Sequence, residues 1–328
     1  MAKEYLVSVD FGGTKILAAL LNDKNEIVAK IKVSTEAAEG KLLLIKKLVS
    51  VINNIVTEGN ISLADVRAVS MGIPGSVNPF TGLIGIAPNL GIKNYNIKTE
   101  LAKFIDVPIL IENDVNLAAL GIQKFELDGS HKNALIVFIG TGIGGALIID
   151  NHLYRGSNYF AGEIGHIIVQ KNGPLCGCGH RGCFEAIASR TAIVRDIKKD
   201  LRAKKKSHLN VIVPKDKPIK SKSIAQAIAK NDLVAIRHVK AACLQTGVVL
   251  ANITNLLNLD LIVLGGGVIT ALDKFMVPKI KESFKNTVMS NSGKGVKIIA
   301  TKLGDNAAIY GGVALYEEMM VKEQTAGS

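Results

Sequence analysis

The sequence predicts a duplicated α/β protein of two lobes with a central cleft, on three observations. Shifting the chain by 127 positions lays Phe11, Gly13, Thr14, Ile16, Ala19, Leu20 and Asp23 onto Phe138, Gly140, Thr141, Ile143, Ala146, Leu147 and Asp150. Short apolar runs alternate with segments of helical periodicity throughout, as layered α/β units do. With 328 residues and 48% hydrophobic composition, the chain can bury more than one core.

Each copy of the repeat opens as a β-hairpin. Tyr5 to Val9 and Ile16 to Leu21 flank one glycine turn, and Leu135 to Ile139 and Ala146 to Ile149 flank the other. In the first half, Leu42 to Val56 then reads as a helix, Val66 to Gly72 as a strand and Ile97 to Phe104 as a helix. Pro108 to Ile111 follows as a strand and Val115 to Phe125 as a helix. In the second half, Thr191 to Leu201, Ile224 to Ile228 and Val234 to Leu257 are helical, before a strand at Leu261 to Leu264. The expected division is an N-terminal lobe over 1–116, completed by a C-terminal helix near 305–328, and a C-terminal lobe over 117–304.

The formal charge of +12 raises the possibility of a nucleic-acid partner, since phosphate attraction is a common reason for a basic surface. Its distribution argues against one. Much of the excess lies between Arg195 and Lys222, with almost no aromatic residues interleaved for base stacking, so a solvated lysine-rich excursion is the expectation. The longest apolar run, Ala134 to Ile149, is broken by four glycines and is too short to span a bilayer. Three of the four cysteines are clustered rather than spread as a disulfide framework, and the opening residues lack a signal-peptide pattern. A cytoplasmic protein with no membrane partner is expected.

The densest chemistry lies between Glu163-Ile164-Gly165-His166 and Cys176-Gly177-Cys178-Gly179-His180-Arg181-Gly182-Cys183-Phe184-Glu185. Three thiols and one imidazole fill a tetrahedral Zn²⁺ and leave no place for an activated water, so the metal read here is structural. Spacing favours His166 as the nitrogen ligand, with His180 as its competitor, while Cys243 sits in an apolar helical pattern and reads as core. Glu163 and Glu185 are hard oxygen donors that a closed thiolate site does not need. That frees them to face a substrate rich in hydroxyls.

Glycine turns admit positive φ and let backbone N–H groups approach an anion closely, so the paired turns at Gly12-Gly13 and Gly140 to Gly145 could hold a polyphosphate from two sides. Gly265-Gly266-Gly267, after its strand, reads either as close approach to a ligand or as a tight strand-to-helix connection. Glu112-Asn113-Asp114 comes at the carboxyl end of a strand, where ligands of α/β sheets collect, and Asp114 could accept a proton from a substrate hydroxyl. Alternatively, Asn113 or Asp114 is simply the cap of the following helix. Pro88-Asn89-Leu90 and Gly72-Ile73-Pro74-Gly75 lie in the same lobe and could reach the same ligand.

Together these motifs resemble the ROK family of sugar kinases, repressors and related proteins. The resemblance runs from Asp10-Phe11-Gly12-Gly13-Thr14-Lys15 to Gly311-Gly312 and is nearest to the glucokinases of that family. It implies an actin-like ATPase fold of the hexokinase type. It also implies ATP-phosphate contacts at Gly12, Gly13, Thr14, Lys15, Gly140, Thr141 and Gly142, an adenosine contact at Gly265, Gly266 and Gly267, and Asp10 as the partner of Mg²⁺. By the same resemblance Asp114 is the general base; Gly75, Asn89, Asn113, Glu163, His166 and Glu185 line the sugar; and His166, Cys176, Cys178 and Cys183 hold zinc. The implied reaction is ATP-dependent phosphorylation of a hexose 6-hydroxyl, glucose first, with N-acetylmannosamine or another hexose as the alternative and a homodimer as the expected assembly. A sugar-responsive regulator is a third reading, disfavoured because the phosphate signature begins at Asp10. The chain departs from the glucokinase pattern where Gly91-Ile92 follows Asn89-Leu90, and where Ile122-Gln123 follows Gly121.

Overall fold

The computed structural model describes residues 4–36, 40–127, 131–214 and 216–326, and Lys215 of the lysine-rich segment lies outside them. Along the chain the elements are β1 (Tyr5–Phe11), β2 (Lys15–Leu21), β3 (Ile27–Ser34), α1 (Lys41–Glu58), β4 (Val66–Ile73), β5 (Ser76–Val77), β6 (Leu83–Ala87) and β7 (Ile92–Asn96). They continue as α2 (Ile97–Leu101), β8 (Ile109–Asn113), α3 (Asp114–Phe125), β9 (Ala134–Ile139), β10 (Ile143–Ile149), β11 (His152–Tyr154) and α4 (Glu185–Ala188). The last are α5 (Arg190–Arg202), α6 (Leu209–Ile212), α7 (Ser221–Ala229), α8 (Leu233–Leu257), β12 (Leu261–Gly265), α9 (Gly266–Thr287), β13 (Lys297–Ala300) and α10 (Asn306–Ala326).

Two compact units result, one from Met1–Ser130, Leu153–Ala161 and Asp305–Ser328, the other from His131–His152 and Gly162–Gly304. Their main sheets have matching orders, β3-β2-β1-β4-β8 and β11-β10-β9-β12-β13, so the sequence repeat corresponds to repeated topology. In each, an antiparallel hairpin leads into parallel pairing, β1 with β4 and β9 with β12. The boundary differs from the expected break at 116: α3 and 153–161 belong to the first unit. Packing explains this, because α3 lies against α10 at backbone distance. A Cβ on Gly311 would stand 1.8 Å from the Leu117 carbonyl oxygen, and one on Gly121 would stand 2.1 Å from that of Ala307.

The period of two along β1 decides which residues face which helices. Val7, Val9 and Phe11 pack into a core with Leu44, Leu48 and Ile52 of α1, whereas Leu6 joins Ile309 and Val313 of α10. Asp10 shares the parity of Leu6 and so belongs to the α3 and α10 face. Strand β8 repeats the pattern, with Ile109 and Ile111 in the α1 core and Leu110 against the α10 cluster, which puts Glu112 on the α10 face as well. The register aligns Asp10 with Gly72 and Gly72 with Glu112. The expected helix from Ile97 stops at Leu101, where the chain tightens so that the Phe104 N–H bonds the Leu101 carbonyl, four residues ahead of Pro108.

In the second unit, β9, β12, α5, α8 and α9 enclose a single large apolar cluster. Helix α8 is long and apolar enough by composition to cross a membrane, yet Val239, Ala242, Cys243, Leu250 and Ile253 are buried in that cluster. Cys243 is core, as its pattern implied, and burial pushes its thiol up to about 12.

Candidate active site

In the first unit the β1–β2 turn is tied from within and from outside. Gly12 N–H donates to the Lys15 carbonyl at 2.9 Å, while Thr35 donates its hydroxyl to the Gly12 carbonyl at 2.6 Å and its N–H to the Thr14 carbonyl at 3.2 Å. Thr35 is fully buried and had no signal in the linear sequence. Gly13 abuts Asn89, since an added Cβ would lie 2.8 Å from the Asn89 Cβ. The Lys15 ammonium pairs with Asp305 at 2.7 Å, just ahead of α10.

At the carboxyl end of β8 the helix cap is Asn113. Its Oδ1 accepts from Val115 N–H at 2.9 Å and Asn116 N–H at 3.1 Å, and its amide nitrogen donates to the Gly75 carbonyl at 3.1 Å. Gly75 has φ +99°, and a Cβ there would meet the Ile86 carbonyl oxygen at 2.3 Å, so that position requires glycine. Asp114 is the first residue of α3, with Oδ1 accepting from Val115 N–H at 3.0 Å. The capping duty that competed for Asp114 therefore falls to its neighbour. Its backbone lies close over Gly72, where a Cβ would come within 3.2 Å of the Asp114 Cα.

Asp10 is pushed up to about 7, first by burial, then by the charge of Asp114 and more weakly of Asp305, with Lys15 and Lys32 pulling the other way. The fold thus binds the Asp10 proton more tightly than the unfolded chain does. Its contribution to stability is present at acid pH and drains away as pH rises from about 4 to about 7, at roughly 1.4 kcal/mol per pH unit. Asp10→Asn should flatten the pH dependence of the thermal midpoint over that window and raise the midpoint at pH 8. An unchanged slope between pH 4 and 7 would refute the assignment.

Glu112, unassigned from sequence, is buried to 1% exposure and holds this corner together. Its Oε1 accepts from Asn113 N–H at 2.9 Å and Asn116 Nδ2 at 3.1 Å; its Oε2 accepts from Arg155 Nε at 2.6 Å. Arg155 in turn donates both terminal nitrogens to Glu318 of α10, at 3.0 and 3.1 Å. Burial alone would lower the Arg155 pKa, but the two carboxylates outweigh it and hold it above the ordinary guanidinium value.

In the second unit the β9–β10 turn, Gly140–Gly142, is braced by α5 and by Glu185. Arg190 N–H donates to the Gly140 carbonyl at 2.9 Å, the Arg190 side chain reaches the Thr141 hydroxyl, and Thr191 Oγ1 donates to the Thr141 carbonyl at 2.7 Å. Ile143 N–H donates to Glu185 Oε2 at 2.8 Å, and a Cβ on Gly142 would lie 2.1 Å from that oxygen. Glu185 Oε1 takes a hydrogen bond from Cys176 at 3.6 Å. Both Glu185 oxygens are therefore engaged, unlike the free carboxylate expected, though each keeps a second lone-pair direction for a hydroxyl donor.

His166, Cys176, Cys178 and Cys183 bring one ligand atom each to within 4.8 Å of one another. The Cys178–Cys183 sulfur separation and the Cys176 to His166 Nδ1 separation are both 3.6 Å. Tetrahedral Zn²⁺ with bonds of about 2.3 Å to sulfur needs sulfurs about 3.8 Å apart, so donor set and spacing fit such an ion. His180 Nδ1 lies 3.6 Å from Cys178 but outside the four-atom group. With Nδ1 turned to the cysteines, His166 Nε2 faces Glu163 Oε2 at 3.8 Å. Burial raises the Glu163 pKa, and Glu185 adds to this while His166 opposes it. Burial also pushes Cys176 up to about 12; the same effect on Cys178 is overcome by donors from His180 and the other two cysteines, which draw it down to about 6.

Of the triple glycine, two members are explained by packing. A Cβ on Gly265 would meet Phe138 at 2.9 Å, and one on Gly266, at φ +85°, would meet the Ile139 backbone at 2.6 Å. Gly267 opens onto free space.

A family model described as ROK family matches residues 6–319. The chain belongs to the ROK family. This ROK chain is 33% identical over 314 residues to a glucokinase of Halalkalibacterium halodurans, covering 95% of this chain and 94% of that one. Among solved structures it is similar to a ROK family glucokinase from Streptomyces griseus in complex with glucose and AMPPNP. That likeness has TM-score 0.82 and 29% identity, and covers 95% of this chain and 98% of the other. It is also 28% identical over 264 residues to a xylose repressor of Bacillus subtilis, covering 80% of this chain and 64% of the repressor. The actin-like fold of ROK sugar kinases is thus the fold of this chain.

Proposed function

We propose that this ROK protein phosphorylates the 6-hydroxyl of a hexose with ATP, converting D-glucose to glucose 6-phosphate. The observation that carries the reading is the β8–α3 corner, where Asn113 caps the helix and the neighbouring Asp114 presents a carboxylate at the sheet's carboxyl end. The glucokinase relatives, and the related structure holding glucose and AMPPNP, an ATP analogue, support a sugar kinase.

In this reading Asp114 accepts the proton of the 6-hydroxyl as the hydroxyl oxygen attacks the γ-phosphorus in line, the bond to the β–γ bridging oxygen breaks and ADP leaves. Phosphoryl transfer through a loose transition state needs that proton only late, so orientation matters more than basicity. Gly12, Gly13, Thr14 and Lys15 of the first unit and Gly140, Thr141 and Gly142 of the second carry the phosphate contacts, with backbone N–H groups matched to developing charge. Gly267, the open member of its triplet, lies by the adenosine with Gly265 and Gly266. Gly75, Asn89, Asn113, Glu163, His166 and Glu185 hold the sugar. Asp10 would hold Mg²⁺, directly or through water, and the ion when bound neutralises charge on the transferring phosphoryl group. His166, Cys176, Cys178 and Cys183 would hold zinc, which when bound cross-links the loop that carries the sugar contacts.

A coupled assay with ATP or polyphosphate against glucose, mannose, fructose and N-acetylmannosamine tests the assignment. Glucose with ATP should give the highest kcat/KM. A higher value for the acetylated sugar would reassign the substrate. No transfer to any sugar, together with salt-sensitive, sequence-selective binding to duplex DNA, would favour the regulator reading raised by the repressor relative.

A further inference from the structure

The corner that carries Asp114 is held by a buried charge chain whose Arg155 and Glu318 lie outside every motif of the resemblance. We infer that Arg155 is a positioning residue for the base, acting through Glu112; this rests on the reading of Asp114 as general base.

Glu112 sits two residues before Asp114, and its Oε1 holds two groups that frame it, Asn113 N–H at 2.9 Å and Asn116 Nδ2 at 3.1 Å. Asn113 is the helix cap and Asn116 lies in the first turn of α3, so one carboxylate oxygen grips the helix start from both sides of Asp114. A carboxylate buried this deeply keeps its charge only with a counter-charge and complete hydrogen bonding. Arg155 supplies the counter-charge to Oε2 at 2.6 Å, and its guanidinium is fixed by the two-pronged contact with Glu318. The fork geometry is specific to arginine: Nε serves one carboxylate and the two terminal nitrogens serve the other.

The chain path adds a reason for the connection. Arg155 directly follows the last residue of β11, within the stretch 153–161 that is grouped with the first unit before the chain returns to the second at Gly162. Arg155 thus ties the 153–161 excursion to the end of β8 within the first unit.

The test compares Arg155→Met, Arg155→Lys, the double variant Arg155→Met with Glu112→Gln, and Asp114→Ala, each with sugar KM, kcat and thermal midpoint. Arg155→Met should lower kcat by about ten- to a hundredfold while glucose KM stays within about threefold, because a small misplacement of a catalytic group is felt in the chemical step. The double variant should recover most of the lost kcat, since a glutamine Oε1 still accepts from Asn113 and Asn116 without a buried charge. A merely structural arginine would give no such recovery. Arg155→Lys keeps the charge but not the fork and should fall between, with a thermal midpoint near that of the parent. Wild-type kcat in Arg155→Lys, or in a folded Arg155→Met, overturns the inference, as does a double variant no better than the single one. An inactive Asp114→Ala beside fully active Arg155 variants would leave the base in place and remove only its positioning; an active Asp114→Ala would remove the base itself.

Discussion

Asp114→Ala should lower kcat by about 10²- to 10⁴-fold, the range a positioned general base contributes, and leave glucose binding measurable by calorimetry or fluorescence. The local structure makes this substitution unusually clean. Asn113 is the cap of α3 and keeps its bonds to Val115 and Asn116, so the helix cap survives loss of the Asp114 side chain and its bond to Val115 N–H. Asp114→Asn retains shape and an acceptor but not the proton affinity, and should be nearly as inactive. Turnover within a few-fold of the parent in both variants would exclude Asp114 as the base.

The second large effect concerns the cysteine loop. Purified protein should contain about one zinc per chain, and Cys178→Ser or Cys183→Ser should lose it. Loss should be felt in two places. Without the metal His166 is no longer fixed by its Nδ1, so its Nε2 loses a defined direction toward Glu163 and glucose KM should rise at least tenfold, by analogy with the effect of disturbing groups around a metal. Glu185 also lies two residues beyond the ligand Cys183 and accepts from Ile143 N–H at 2.8 Å, so a loosened cysteine loop weakens the brace on the β9–β10 turn and ATP KM should rise too. Protein with full activity and no zinc by elemental analysis would remove the metal from the account. Because Cys176 resists deprotonation while Cys178 does not, uptake must displace at least the Cys176 proton, and affinity should increase with pH.

Where contacts are local in sequence, the fold was legible. The two hairpins could be read because alternating apolar residues flank a short glycine turn, and the matching sheet orders follow from the repeat that starts at Phe11 and Phe138. Strand β3 had a readable alternation in Ile27, Ala29, Ile31 and Val33, but it is an edge strand with alternate residues exposed and lacks the continuous apolar run that marked its neighbours. Helix α9 was hidden by its own residues, since Gly266 and Gly267 open it and Pro278 lies inside it, each a breaker in isolation. The cysteine cluster was legible because all four metal-site atoms come from 18 consecutive residues, His166 to Cys183. Arg155 was not. It meets a glutamate 43 residues earlier and another 163 residues later, and no spacing rule connects positions that only tertiary packing brings together. Thr35 escaped notice for the same reason, as its partners Gly12 and Thr14 lie across β2 and β3.

The glycine-to-backbone contact between α3 and α10 also governs the order in which the molecule can be completed. Residues 4–127 leave the ribosome long before Asn306–Ala326, yet Leu117 and Gly121 meet Ala307 and Gly311 with no side chain between them. During synthesis the wall behind Asp114 therefore stays open while the whole second unit is made. A chain cut short before Asn306 would carry every proposed catalytic and binding residue and lack the helix that packs behind the β8–α3 corner.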